Sequence, residues 1–165
     1  MNKFFATLLI FTIAFTATVS AQTSITKVQS LYIYNFIKNI QWQNVSDKYI
    51  IGIYADDATV KEISEVLAVR KFNGKAIEVK KITSTSQASN CHIVYVSSAM
   101  SSNVKKMKES SNLTNTLIVS EKGELNNGAA ISFVLENTSL KFKINEAACT
   151  ASGLQVSKTL LSLGV

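Results

Sequence analysis

The chain of 165 residues contains no proline, only two cysteines and only one histidine. Without proline, tight turns must depend on glycine, asparagine and serine. Two cysteines exclude a small domain whose fold depends on many disulfides. If Cys91 and Cys149 were to pair, closing the long loop between them would stabilise the fold by about 4 kcal/mol. The sequence leaves open whether these two residues lie close enough to form a bond.

Motifs that indicate catalysis are also absent. The chain has no G-x-G-x-x-G loop, no Walker sequence and no G-x-S-x-G elbow. A hydrolytic triad would have to use His92, and no set of ligands at zinc-like spacing accompanies Cys91 and His92. Neighbouring residues of a strand point to opposite faces, so these two do not converge on one centre. We therefore expect no enzymatic activity, no cofactor and no bound metal.

The first residues are typical of a secretory signal peptide. Lys3 is followed by an apolar stretch, Phe4–Ala17, and then by the small residues of Val19–Ala21. This pattern predicts export and cleavage after Ala21, which leaves residues 22–165 as a single mature domain. No later stretch has the run of about 20 apolar residues that a transmembrane helix needs.

Basic residues outnumber acidic ones, 17 against 11, and the formal net charge is +6. An exported protein does not meet nucleic acid, so we expect no nucleic-acid partner. An acidic protein surface and anionic lipid headgroups remain candidate partners for this charge. Exposed lysines that keep the protein soluble explain the same excess more simply.

Apolar periodicity predicts that helices and strands alternate along the chain. The predicted helices are 26–42, 56–71 and 101–111, and the predicted strands are 48–55, 75–82, 91–97 and 115–120. Two further strands, 130–135 and 140–144, flank the turn-forming sequence ENTS and predict a hairpin. After Asn145, apolar residues at helical spacing predict one last helix. The predicted fold is therefore α/β: an open, mostly parallel sheet with helices on both faces, a C-terminal antiparallel β-hairpin and a long C-terminal helix.

The stretch SLYIYNFIKNIQW, residues 30–42, is dense in apolar and aromatic side chains. Four of them share one helical face and are expected in the core: Leu31, Phe36, Ile37 and Ile40. A single stripe of a helix does not accommodate the whole cluster. Tyr32, Ile33 and Trp42 are therefore candidates for contact with a partner protein.

Two adjacent carboxylates, Asp56 and Asp57, follow the first predicted strand. Ligands of open α/β sheets bind at this edge, and two carboxylates can hold Mg²⁺ through oxygen atoms. Helix capping is the competing explanation, because Asp56, Asp57 or Thr59 can accept hydrogen bonds from free N–H groups. No third acidic residue or phosphate-binding lysine accompanies them in sequence, which favours capping.

Seven stretches of the chain, taken in order, resemble the blocks of one family of bacterial proteins, the YfiR family. They are YNFIKNIQW (34–42), IGIYADD (51–57), FNGKAIEVKKI (72–82), CHIVYVS (91–97), TLIVSEKGEL (116–125), GAAISFVLENTSLKFKIN (128–145) and EAACTASGLQVSKTLLSL (146–163). The resemblance covers nearly the whole mature chain. The predicted signal peptide agrees with this resemblance. Proline commonly follows the tryptophan of the first block in this family, whereas Gln43 follows it here. The extra disulfide-forming cysteines that many members carry are also missing.

The resemblance implies a periplasmic protein without catalysis that represses an inner-membrane diguanylate cyclase by holding its periplasmic sensor domain inactive. Such a repressor lowers cyclic di-GMP and biofilm formation. The resemblance further implies an outer-membrane lipoprotein that draws the repressor away, and the capacity to form a homodimer. An alternative hypothesis is a periplasmic sensor of a small ligand that binds in the crevice near Asp56 and Asp57.

Overall fold

Short apolar runs form the strands at the centre of the molecule. The structure is a computed structural model that describes residues 24–110 and 113–165. The helices are α1 Ile25–Asn39, α2 Asp57–Leu67, α3 Asn103–Ser110, α4 Glu146–Ala151 and α5 Lys158–Leu163. The strands are β1 Ile40–Gln41, β2 Lys48–Tyr54, β3 Lys71–Phe72, β4 Lys75–Lys81, β5 Ile93–Val96, β6 Leu117–Ser120, β7 Ile131–Glu136, β8 Ser139–Ile144 and β9 Gln155–Val156. The predicted signal peptide lies outside the described residues.

The main sheet has seven strands in the order β3-β4-β2-β5-β6-β7-β8. The five strands β4, β2, β5, β6 and β7 run parallel to one another. The edge strands β3 and β8 are antiparallel, and β7 with β8 forms the predicted hairpin. The predicted α/β fold with an open, mostly parallel sheet is therefore confirmed.

Both faces of the sheet are covered, which explains why its central strands are apolar throughout. Successive residues of β5 alternate between the faces. Ile93 and Tyr95 belong to the larger core, together with Ile33 of α1. Val94 belongs to a second core on the other face, together with Val104 of α3. Helices on both faces are thus present, as predicted.

α1 begins after Ser24, whose side-chain oxygen accepts a hydrogen bond from the backbone N–H of Lys27 at 3.1 Å. Its buried residues recur at helical spacing: Gln29, Ser30, Ile33, Phe36 and Ile37. The ring centroid of Phe36 lies 5.1 Å from that of Phe142 in β8, with the rings edge to face. This contact fixes α1 across the hairpin end of the sheet.

The last part of the chain contains two short helices where the sequence predicts one long helix. Gly153 takes a left-handed conformation, φ +74°, and this ends α4 because glycine adopts that conformation without steric strain. Gln155–Val156 then pairs antiparallel with Ile40–Gln41 as a separate two-stranded sheet. α5 begins after Ser157, whose Oγ accepts a hydrogen bond from the backbone N–H of Leu160 at 3.1 Å. A glycine stop and a serine cap therefore divide the predicted helix.

Asparagine and glycine provide the backbone conformations of the turns in this proline-free chain. In the described residues, positive φ angles outside glycine occur only at asparagines: Asn44, Asn73, Asn115 and Asn137. Asn73 and Gly74 join β3 to β4, with φ angles of 50° and 77°. Positive φ at both central residues is the geometry that matches the twist of a two-residue hairpin.

Candidate binding site

An apolar groove, which we call the hairpin groove, lies between α1 and the β7–β8 hairpin and has a volume of about 620 Å³. Its lining residues come from the start of α1 and from both sides of the hairpin turn: Ile25, Val28, Tyr32, Leu135, Asn137, Thr138, Ser139 and Leu140. Ile25 is 52% exposed and Leu135 is 59% exposed. Exposed aliphatic side chains that share one depression are typical of surfaces that bind another molecule.

A second depression, which we call the strand-end cavity, adjoins the groove at the carboxyl ends of β5, β6 and β7. Its volume is about 520 Å³, within the range of about 300–1,000 Å³ that is usual for small-molecule sites. Its lining residues are Ile25, Gln29, Ser98, Glu121, Lys122, Gly123, Phe133, Val134, Leu135 and Leu140. It shares Ile25, Leu135 and Leu140 with the hairpin groove. Open α/β sheets bind their ligands at this edge.

Gln29 is a buried polar residue in the wall of the strand-end cavity. It is only 1% exposed, and its Oε1 accepts a hydrogen bond from the Tyr95 hydroxyl at 3.0 Å. Among the described residues, no buried side-chain nitrogen or oxygen lacks a hydrogen-bond partner. Burial raises the pKa of Tyr95, and the negative charges of Glu121 and Asp56 raise it further. Tyr95 therefore stays protonated and acts as the donor to Gln29.

Two residues of opposite charge follow β6 and line the same cavity. The carboxylate of Glu121 accepts a hydrogen bond from the backbone N–H of Ser98 at 2.6 Å, which ties together the segments after β5 and β6. Lys122 is exposed beside it. The residues that line the cavity thus include apolar side chains, one amide, one carboxylate and one ammonium group.

Tyr32, a predicted partner-contact residue, lies in the hairpin groove. Its hydroxyl donates a hydrogen bond to the backbone carbonyl of Leu140 at 3.0 Å. Its ring lies against Phe133 and Phe142, at centroid distances of 5.8 and 5.3 Å. One side of the half-buried ring therefore anchors α1 to the hairpin, and the remainder lines the groove.

Ile33 has to be removed from the predicted contact residues, because it is 0% exposed and belongs to the larger core. Leu31, which was predicted to be in the core, is 42% exposed. The two positions are exchanged because the buried stripe of α1 includes Gln29 and Ser30. Apolarity alone therefore misplaces these two residues, whereas Phe36, Ile37 and Ile40 are buried as predicted.

Trp42, the third predicted contact residue, lies at the amino ends of β2 and β5, away from the hairpin groove. Its Nε1–H donates a hydrogen bond to the carbonyl of Ile37 at 3.0 Å. Its ring is edge to face with those of Tyr49 and His92, at 6.3 and 6.1 Å. Trp42 is thus half-buried in an aromatic cluster, and the fold does not bring the three predicted contact residues together.

His92 has a structural position in that cluster. Its Nδ1 accepts a hydrogen bond from the backbone N–H of Ile50 at 3.0 Å, which joins β2 to the start of β5. Burial lowers the pKa of His92, and the positive charge of Lys75 lowers it further. The neutral imidazole is the form that can accept this hydrogen bond.

Asp56 and Asp57 lie at the start of α2. Oδ1 of Asp56 accepts a hydrogen bond from the backbone N–H of Thr59 at 2.8 Å, so Asp56 is the N-cap. That hydrogen bond is the main reason why the pKa of Asp56 is lowered. Asp57 pairs with Lys81 at 2.7 Å. Among the described residues, no group of three or more histidine, cysteine or acidic side chains is arranged to hold a metal ion.

Cys91 and Cys149 are both free and buried. They belong to different cores, on the two faces of the sheet. The disulfide that the sequence left open is therefore not formed in this structure. Burial raises the pKa of the Cys91 thiol, and burial together with the charge of Glu146 raises the pKa of Cys149 to about 11. Neither thiol has the lowered pKa of a reactive cysteine.

Four residues of the two depressions belong to no motif that predicts them. Leu135 and Leu140 flank the hairpin turn, and apolar residues beside an exposed turn are a weak sign of a binding surface. Gln29 is a polar residue on the apolar face of α1, which indicates a specific buried contact. Ile25 carries no such signal, since only the packing of α1 against the hairpin places it in both depressions.

The chain thus forms a layered α/β domain with two adjoining depressions beside the β7–β8 hairpin. The chain belongs to the YfiR/HmsC-like family, whose sequence profile matches residues 26–165. Proteins of this family are periplasmic regulators that work with membrane signalling proteins. A comparison with curated proteins finds no match. Among the described residues, no helix combines the length and the apolar content that crossing a membrane requires.

A solved structure is similar to this chain in fold. It is that of a conserved domain protein from Vibrio cholerae O1 biovar El Tor, with a TM-score of 0.62 and a sequence identity of 12%. The similarity covers 86% of this chain and 60% of the Vibrio chain, so this chain spans less than two thirds of that protein. At this identity the similarity concerns the fold alone.

Proposed function

We propose that this chain restrains a signalling protein of the inner membrane by binding its periplasmic domain. The mature chain, residues 22–165, acts as one YfiR-like domain without catalysis, after cleavage behind Ala21. Amino-terminal sequencing of the exported protein is expected to begin at Gln22. The observation that carries the proposal is the hairpin groove, an exposed apolar surface on a chain that belongs to a family of regulators.

The hairpin groove suits a protein partner because of its shape and its exposed side chains. Ile25 and Leu135 are each more than half exposed, so covering them removes apolar surface from water. Full burial of such a side chain contributes about 1.5–3 kcal/mol, and each of these two would gain part of that. The hydrogen bond of Tyr32 to the hairpin holds the two walls together, which lowers the entropy cost of binding.

The proposed partner is an inner-membrane diguanylate cyclase, whose restraint lowers cyclic di-GMP and biofilm formation. An outer-membrane lipoprotein that binds the same groove would release the cyclase by mass action. A second copy of this chain can also cover the groove, so homodimerisation would compete with binding of the cyclase.

A deletion strain tests this function. Loss of the gene is expected to raise cyclic di-GMP, and the wild-type gene on a plasmid should restore the lower level. A Leu135→Asp variant should fail to restore it, because a carboxylate in the groove opposes burial of the surface. Val69→Asp is the matched control, since Val69 is 79% exposed and lies outside the groove. An unchanged cyclic di-GMP level in the deletion strain would reject the cyclase as the partner.

A further inference from the structure

We propose that one side of α1, together with two cations that follow α2, forms a basic face that docks on a membrane surface rich in anionic phospholipid. The basic face consists of Lys27, Leu31, Tyr34, Lys38, Arg70 and Lys71. The inference goes beyond the proposed function and does not depend on it, because it concerns phospholipid and not a partner protein.

The helical part of the basic face is a row of four side chains along α1. These side chains recur at spacings of three or four residues, so they share one side of the helix: Lys27, Leu31, Tyr34 and Lys38. Both lysines are exposed, Leu31 is 42% exposed and Tyr34 is half-buried. The row is about 16 Å long, since each helical residue rises about 1.5 Å. It therefore presents two cations with an aliphatic and an aromatic side chain between them.

Tyr34 joins this row to two further cations. Its hydroxyl donates a hydrogen bond to the backbone carbonyl of Lys71 at 3.0 Å. Nζ of Lys38 and Cζ of Arg70 each lie 5.6 Å from the centroid of its ring, within the range of cation–π contacts. Two cations thus share one ring, and the exposed Lys71 follows directly after Arg70.

The segments that form the basic face carry no negative charge. Residues 24–46 and 66–77 contain no aspartate and no glutamate. Among the described residues, no acidic side chain forms an ion pair with the four cations of the face. The charge of these cations is therefore available to an anionic surface.

Two acidic residues of α2 precede Arg70 in the chain. Glu62 accepts a hydrogen bond from Ser24 at the start of α1, at the far end of the row from Tyr34. Glu65 lies one turn after Lys61, and both are exposed on the same side of α2. The basic face therefore keeps a net positive charge, most strongly at its Tyr34 end.

A phospholipid surface suits the composition of the basic face. Leucine and tyrosine side chains favour the level of the lipid headgroups, and lysine and arginine reach the phosphate groups from the same depth. Because the row runs along one uninterrupted helix, its side chains can meet one plane of headgroups at the same time. The family works with membrane signalling proteins in the periplasm, so a membrane surface is close to the chain.

Docking through the basic face leaves the hairpin groove open. Val28 and Tyr32 line the groove, and at about 100° per residue they lie roughly a third of a turn around α1 from Leu31 and Tyr34. A chain docked on a membrane can therefore still present the groove to another protein.

Sedimentation with sucrose-loaded vesicles tests the inference on the purified exported protein. Vesicles of phosphatidylcholine mixed with phosphatidylglycerol should bind the protein at about 0.1 M salt, and at least about tenfold more weakly at about 0.5 M salt. Vesicles of phosphatidylcholine alone should also bind at least about tenfold more weakly. No binding to the mixed vesicles, or equal binding to both kinds, would overturn the proposal. Binding to heparin without binding to vesicles would assign the face to an acidic macromolecule and would overturn it as well.

Two double variants separate the basic face from the net charge of the protein. Lys38→Gln with Lys71→Gln removes two exposed charges of the face, and Tyr34 keeps its hydrogen bond because it uses the backbone of Lys71. This variant should bind the mixed vesicles about 25-fold more weakly, at about fivefold for each cation. Lys105→Gln with Lys106→Gln has the same net charge but changes α3, on the other face of the sheet, and should bind within about twofold of the wild type. Equal weakening in the two double variants would contradict the basic face.

A pair of leucine substitutions tests the apolar part of the face. Leu31→Gln should weaken vesicle binding about fivefold, because it removes an exposed aliphatic side chain that docking buries. Leu135→Gln is the matched control, since Leu135 is also exposed but lines the hairpin groove, and it should leave vesicle binding unchanged. No loss in Leu31→Gln, or a larger loss in Leu135→Gln, would contradict docking through this side of α1.

Discussion

Ile33 and Leu31 allow a direct test of how α1 packs. Both are aliphatic residues of one helix, two positions apart, but Ile33 is 0% exposed and Leu31 is 42% exposed. Truncating Ile33 to alanine leaves a cavity in the larger core, and such substitutions cost about 2–5 kcal/mol of unfolding free energy. Truncating Leu31 removes a contact that water already reaches, so its cost should stay below about 1 kcal/mol.

Urea unfolding followed by far-ultraviolet circular dichroism measures both costs. A loss of about 3 kcal/mol in Ile33→Ala corresponds to a melting temperature roughly 10 °C lower for a domain of this size. Leu31→Ala is the matched control, because it removes the same number of carbon atoms from the same helix. Equal losses in the two variants, or a larger loss in Leu31→Ala, would refute the burial of Ile33 against the sheet.

Three further outcomes are expected. Because burial and Lys75 lower the pKa of His92, the folded state takes up a proton less readily than the unfolded state. The melting temperature should therefore fall as the pH drops below about 6.5. His92→Gln should flatten this dependence, and an unchanged slope in the variant would contradict the role of His92. A methyl group on Gly52 would lie 2.7 Å from Sγ of Cys91, so Gly52→Ala should lower the free energy of unfolding in urea by about 1–3 kcal/mol. Adding Cys91→Ala should restore part of this free energy. No rescue would refute the contact between these two positions. Asp56→Ala should lower the melting temperature at pH 7 through loss of the cap of α2. Because the pKa of Asp56 is lowered, the difference in melting temperature from the wild type should shrink as the pH falls below about 4. A difference that stays constant with pH would contradict the capping role of Asp56.

The layers of the fold could be predicted from the sequence because its elements have strong local signals. The parallel strands are short apolar runs, and they alternate with amphipathic stretches such as 56–71. The C-terminal segment was mispredicted as one helix because its apolar residues keep helical spacing across Gly153. A glycine in a left-handed conformation ends a helix more strongly than periodicity continues it.

The candidate binding surface could be predicted only in part. The sequence predicts that Tyr32 contacts a partner because its aromatic ring lies beside the apolar stripe; Tyr32 lines the hairpin groove, and its contact with a partner stays a prediction. Ile33 was assigned to the wrong side because Gln29 lies on the buried face, where a polar residue is not expected. The burial of Gln29 depends on its hydrogen bond with Tyr95, which is 66 residues away in sequence. Contacts of this range leave no periodic signal along the chain.

The affinity of the purified chain for the purified periplasmic domain of the proposed membrane cyclase tests the central claim most directly. Titration calorimetry should compare the wild type with Val28→Glu, which changes the hairpin groove, and Val69→Glu, which changes an exposed valine elsewhere. We expect Val28→Glu to weaken binding by at least about tenfold and Val69→Glu to leave it within about twofold. Full affinity in Val28→Glu, or equal weakening in both variants, would contradict the proposal that the hairpin groove holds the partner.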